Sequence, residues 1–164
     1  MNNPVIQSLR KRRSQYSLGR NLSQSPAEIE ALIKEAIRWS PSSFNSQSSR
    51  AVILFGAQSE RFWELVRESL RPLVPAEAFG ATEQKLASFA AGVGTVLFYE
   101  DQDVVKGLQE QFALYADNFP VWSEHSTGMA QLATWTALAE AGIGASLQHY
   151  NPVVDEAAQR EWNL

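Results

Sequence analysis

Two short stretches concentrate side chains able to hold a polar ligand. Pro41-Ser42-Ser43-Phe44-Asn45-Ser46-Gln47 carries five hydroxyl or amide side chains in seven residues, with a proline to set the turn. Hydroxyls and amides donate and accept in several directions, and a loop of this kind between two rigid elements suits a hydrogen-bonding ligand. A solvated connector has the same composition. Arg10-Lys11-Arg12-Arg13, followed by Ser14, is the second stretch. Guanidinium forks match phosphate oxygens, and a neighbouring hydroxyl can hold a further oxygen. A cationic helix end, favoured by the helix dipole, explains the same run.

Other motifs carry less. Gly92-Val93-Gly94 lacks the third glycine of a dinucleotide loop, because Leu97 stands there, and it precedes a strand instead of joining strand to helix. Ser123-Glu124-His125 offers hydrolase residue types without a nucleophile elbow. His125 and His149 are too isolated for a metal site, and the absence of cysteine excludes thiolate chemistry and Cys-based metal centres. No side chain is assigned as catalytic.

The elements that position these stretches follow from pattern. Val5–Leu9 predicts a short helix, and Ser17–Ser23 a turn. Ser25-Pro26-Ala27-Glu28 forms a capping box with proline at the first helical position. Ile29, Leu32, Ile33, Ala36 and Ile37 give that helix one buried face, and Ser40-Pro41 ends it. Ala51–Phe55 predicts a strand, Ser59–Leu73 an amphipathic helix, Glu77–Ala91 one or two helical pieces, and Gly94–Tyr99 a strand buried on both faces. Asp103–Asn118 is helical in pattern. Ser126–Gly142 is a helix that is apolar all round, which predicts burial all round. One small domain can hardly surround such a helix, so a homodimer is expected. Ala145–His149 reads as a third strand, and Asn151-Pro152 as the cap and start of a last helix. About six helices and three short strands make an α+β layer fold with a small central sheet.

At 164 residues and 45% hydrophobic, the chain predicts one domain, residues 1–164, with a real core. A net charge of −4 argues against nucleic acid as a partner. No stretch predicts a signal peptide or membrane span, so a cytoplasmic protein is expected.

Three segments, in order, resemble the FMN-dependent nitroreductase family. They are Arg12-Arg13-Ser14, Pro41 to Gln47, and Gly142-Ile143-Gly144-Ala145-Ser146-Leu147-Gln148-His149-Tyr150-Asn151-Pro152. Gly94 to Asp101 and Trp122 to Ser126 are similar to its subgroup of yeast fatty-acid-regulated and lactococcal copper-induced proteins. The resemblance runs along essentially the whole chain. It implies an intertwined homodimer with a small mixed or antiparallel sheet flanked by helices, and FMN as cofactor. NADH or NADPH would be the electron donor, and a nitroaromatic or quinone the acceptor, in a ping-pong cycle. A flavin-binding regulatory or stress-response protein with little turnover is the alternative.

Residue by residue, the resemblance implies that Arg12 and Arg13 lie near the phosphate and ribityl chain, with Ser14 as the adjacent hydroxyl. Ser42, Ser43 and Asn45 match the loop that reaches the flavin from the partner subunit, Gln47 belongs to the same motif, and Lys85 lies near the pyrimidine edge. Gln148, His149 and Tyr150 run along the ring system with a main-chain N–H directed at N5. Phe119 and Trp122 are expected on the aromatic wall of the substrate cleft, although core or interface packing explains them as well. Two departures accompany the match. The chain ends at Leu164, where a further strand and an arm embracing the second subunit are expected. Tyr16 stands where many relatives carry lysine.

Overall fold

The computed structural model describes residues 2–164. Its α-helices are α1 (Pro4–Lys11), α2 (Pro26–Arg38), α3 (Ala57–Leu70), α4 (Phe79–Ala90), α5 (Gln102–Gln111), α6 (Phe119–Glu140) and α7 (Asp155–Trp162), with strands β1 (Ser49–Phe55) and β2 (Gly94–Glu100). Short 3-10 turns cover Ser43–Asn45 and Ala113–Asn118. The two strands form one sheet. Its register is antiparallel: Asp101 N–H donates to Ser48 O at one end (2.9 Å), and Gly94 approaches Leu54 at the other. A Cβ on Gly94 would lie 2.6 Å from the Leu54 carbonyl oxygen, so this position admits no side chain without moving backbone.

The chain divides into two compact units, each drawn from several segments. The first comprises the residues up to Arg13, Ser23–Val52 and Val96–Ile143. There α2 starts as its sequence requires. Ser25 Oγ accepts from Glu28 N–H, the Glu28 carboxylate accepts from Ser25 N–H, and Pro26 opens the helix. Ile29 and Ile33 are its buried residues, and α2 packs on α6. Helix α6 begins seven residues before the predicted Ser126, because Phe119-Pro120 start it and Ser123 faces inward. It ends in a Schellman motif: Ile143 N–H reaches Leu138 O (2.9 Å) and Gly142 sits at φ +77°.

Within one chain α6 is buried on one side only. Its buried residues form one stripe of mainly small or hydroxyl side chains, Ser123, Ser126, Thr127, Ala130, Thr134 and Leu138, headed by Phe119. Val121, Met129 and Leu132 stay exposed. Uniform hydropathy gave no hint of direction; the small side chains face inward where neighbouring elements come close.

The second unit comprises Ser14–Leu22, Ile53–Thr95 and Gly144–Leu164. Its core is Phe62, Trp63, Leu65 and Val66 of α3 against Phe79, Leu86 and Phe89 of α4, with Ala158 of α7. The Trp63 indole N–H donates to Thr95 Oγ1 (3.0 Å), which satisfies its buried polar end. The third strand predicted at Ala145–His149 does not form. An isolated parallel bridge joins Ser14 to Ala145, with Gln15 N–H donating to Ala145 O (3.0 Å). The last helix starts at Asp155, not at Pro152. Asn151 Nδ2 donates to the Asp155 carboxylate (2.7 Å) instead of capping a backbone N–H.

Candidate functional site

In the first unit, the 42–47 loop is folded on itself. Ser42 Oγ accepts from Gln47 N–H (2.9 Å), Gln47 Nε2 donates to Asn45 Oδ1 (3.1 Å), and the Ser46 and Ser48 hydroxyls pair (3.3 Å). Phe44, Asn45 and Gln47 all have left-handed backbone, with φ of 57°, 51° and 49°. An aromatic residue there is a rare outlier that the surroundings must enforce. Two ties do so. Ser43 N–H donates to Ser126 Oγ of α6 (3.3 Å), and Arg50 links Gln47 O (2.6 Å) to the Asp101 carboxylate (2.9 Å). Beside this, buried Glu100 accepts from Ser49 Oγ (2.7 Å) and Thr127 Oγ1, which fastens β2 to β1 and α6. Ser43 Oγ and Asn45 Nδ2 keep no protein partner among the described residues.

Five rings gather over the loop. Phe44 stacks on Trp122 (centroids 5.7 Å, 16°) and meets Phe112 (5.0 Å), Phe119 (5.1 Å) and Tyr115 (6.1 Å). Phe119, expected on a cleft wall, is 2% exposed and is a core residue of the unit. Phe44 and Tyr115 supply the exposed ring surface, and Trp122 is half-buried. Sequence reading passed over Phe44, although it lies inside the motif. A cavity of about 10 Å³ between Ser43, Ser48, Val105, Leu108, Phe119 and Trp122 has room for one water at most, so it is no ligand site.

Arg12 caps the C-terminus of α1, and its guanidinium lies over the Trp135 ring at 4.2 Å. Arg13 is exposed. Lys11 takes the nearby carboxylate of Glu140 (3.0 Å). That ion pair, with Ser8, holds the Glu140 carboxyl below its ordinary range. Arg10, Arg12, Arg13 and Lys85 are the basic side chains left without a carboxylate partner among the described residues.

In the second unit, Lys85 projects from α4 near the Phe89 ring (5.9 Å). Ser14 sits at the bridge to Ala145. From there the chain runs without regular structure through Gln148 and His149 to Tyr150. Gln148 Nε2 donates to Ser146 Oγ (3.2 Å), and His149 is exposed. Tyr150 packs edge-on against Trp63 (5.8 Å, 87°), and burial raises its phenol above the ordinary value. The peptide N–H groups of Ser146 through Tyr150 donate to no protein acceptor among the described residues. None of these five residues is buried, so their N–H groups are open to water or to a ligand.

The nitroreductase family model matches residues 9–164. The chain belongs to the nitroreductase family. It is 32% identical to nitroreductase FRM2 of Saccharomyces cerevisiae over 158 residues, 95% of this chain and 79% of the relative. Nitroreductase CinD from Lactococcus lactis, solved in complex with 4-nitrophenol, matches with a TM-score of 0.87 and 53% identity, over 98% of this chain and 81% of that one. A nitroreductase with bound FMN from Desulfitobacterium hafniense matches with a TM-score of 0.67 over 98% of this chain and 77% of that one. At 14% identity that likeness speaks for the fold alone. The α+β fold, with its small antiparallel sheet among helices, is therefore the nitroreductase fold, and membership of the family supports an oxidoreductase role. Among the described residues, no helix is long and apolar enough to cross a membrane.

Proposed function

We propose that the chain is an FMN-dependent NAD(P)H oxidoreductase that reduces nitroaromatics or quinones and works as a homodimer. One observation carries the reading. Of the four basic side chains that no carboxylate neutralises among the described residues, three are Arg12, Arg13 and Lys85, the residues matched to flavin contacts. A cation without a partner is available to an anionic ligand at no cost of breaking an ion pair. Each unit by itself offers donors of the kinds the group needs: two guanidinium forks at Arg12 and Arg13 in the first, and the Ser14 hydroxyl with unpaired N–H groups at Gln148, His149 and Tyr150 in the second. The 4-nitrophenol carried by the 53% identical CinD structure agrees with it.

When bound, FMN would supply the redox chemistry between NAD(P)H and the acceptor, in a ping-pong order. The chain binds and orients. Lys85, if about 4 Å from the reduced ring's negative charge, would stabilise it by about 4 kcal/mol at an effective dielectric near 20. The 42–47 loop, rigid through its own hydrogen bonds, contributes Ser43 Oγ and Asn45 Nδ2 as free polar groups. No side-chain acid or base is required. The exposed Val121, Met129 and Leu132 of α6 are the apolar surface a second copy would cover.

The test is the purified protein itself. It is expected to be yellow, or to take up added FMN, and to oxidise NADH or NADPH when a quinone or 4-nitrophenol is present. Arg12→Ala is expected to weaken FMN retention more than Arg10→Ala. Protein that stays colourless in excess FMN would refute the reading, and bound FMN without turnover would favour a flavin-binding regulatory protein.

A further inference from the structure

Arg12 is held in a way that differs from the carboxylate-paired arginines of the chain. Arg20, Arg38, Arg50, Arg61, Arg67 and Arg71 are each ordered by carboxylates, which occupy N–H groups of the fork. Arg12 is ordered by a ring: its guanidinium carbon lies 4.2 Å from the centroid of Trp135. A ring holds a guanidinium through its π electrons and brings no carboxylate or carbonyl oxygen to take its N–H bonds. Among the described residues no acceptor takes them. The local carboxylate, Glu140, is already engaged by Lys11 and by nothing from Arg12. Trp135 stands on α6, the 22-residue helix at the centre of the first unit. Arg12 stands at the C-cap of α1, its own N–H bonded to Ser8 O (3.0 Å). Both groups are thus anchored by regular structure before any ligand arrives.

We infer that Trp135 is a positioning residue for the phosphate of the flavin. Its ring fixes the Arg12 guanidinium and leaves the whole hydrogen-bonding edge for the phosphate oxygens. A carboxylate in its place would order the arginine equally well but compete for the same edge. The inference rests on the proposed FMN binding, and it makes a claim that binding alone does not: Trp135 acts on the phosphate and not on the flavin ring.

FMN and riboflavin, which differ by that phosphate, separate the two. Each is titrated into flavin-free wild type, Trp135→Phe and Trp135→Leu, with quenching of flavin fluorescence as the readout. Trp135→Leu is expected to weaken FMN roughly 3- to 30-fold, the range of a cation–π contact, and riboflavin by less than about twofold. Trp135→Phe, with a weaker π face, is expected to fall between. Equal losses for both ligands in Trp135→Leu would show packing alone and overturn the inference. Should Trp135→Leu fail to fold, Trp135→Phe decides. Its lowered preference for FMN must disappear in an Arg12→Ala background; an unchanged preference, or one lowered regardless of Arg12, overturns the inference. Wild type that binds neither flavin would instead refute the proposed function.

Discussion

The 42–47 loop and the 146–150 segment look alike as polar connectors, yet they treat their hydrogen-bonding groups in opposite ways. The loop spends most of its polar groups on itself and on α6. The segment leaves five consecutive peptide N–H groups unspent. Side-chain composition drew attention to the loop, but the larger stock of free donors is main chain and carries no mark in the residue types. A hydroxyl-rich stretch can therefore be a stiff support, and a plain one can be the part that offers donors to a ligand.

The sharpest way to break this contrast is to remove what stands under the loop. Phe119→Ala deletes a buried ring that touches Phe44, Phe112 and Trp122, and is expected to cost about 3–5 kcal/mol in denaturant unfolding. Tyr115→Ala, at the exposed rim of the same cluster, should cost far less. Similar losses would mean that the ring cluster does not brace the loop.

Ser126→Ala comes next. It removes the acceptor for Ser43 N–H and should lower stability by about 1–3 kcal/mol, the range for a stranded partly buried donor. Ser126→Thr, which keeps the hydroxyl, should restore most of it.

Hydrogen exchange compares the two regions directly. Without flavin, the amides of Ser146 through Tyr150 should exchange fast, while those of Asn45, Ser46 and Gln47, already bonded, should be protected. Saturating FMN is expected to slow at least one amide of the segment roughly tenfold, and to change the loop less. Protection that rises only in the loop would reverse the contrast.

The smallest effect concerns the helix that leads into the loop. Glu28 is held below its ordinary carboxyl value of 4.5, first by Ser25 N–H and then by the Ser25 hydroxyl. Because the folded value is the lower one, the stability it adds is complete above 4.5 and disappears as pH falls through the depressed value. An acid titration of unfolding should show this loss, and Glu28→Gln should flatten it.

How far the sequence could be read depended on the range of the forces involved. The Ser25–Glu28 box, α2 and both strand runs were legible, because caps and periodicity are settled by neighbours a few residues apart. The start of α6 was missed because Ser123, Glu124 and His125 looked polar, while only Ser123 turns inward. The strand expected at Ala145–His149 failed because an extended run becomes a strand only beside a partner, and here the pairing stops at Ser14 and Ala145.

The sequence by itself determined the local elements, the order of the family's segments and the chemical types at the candidate site. Tertiary structure alone decided which of those groups remain free. A guanidinium, a hydroxyl or a peptide N–H is available only if nothing else in the fold takes it, and what takes it usually comes from far along the chain. Glu140, 129 residues after Lys11, engages that lysine, and Arg12 lies on Trp135 with its hydrogen bonds still to give.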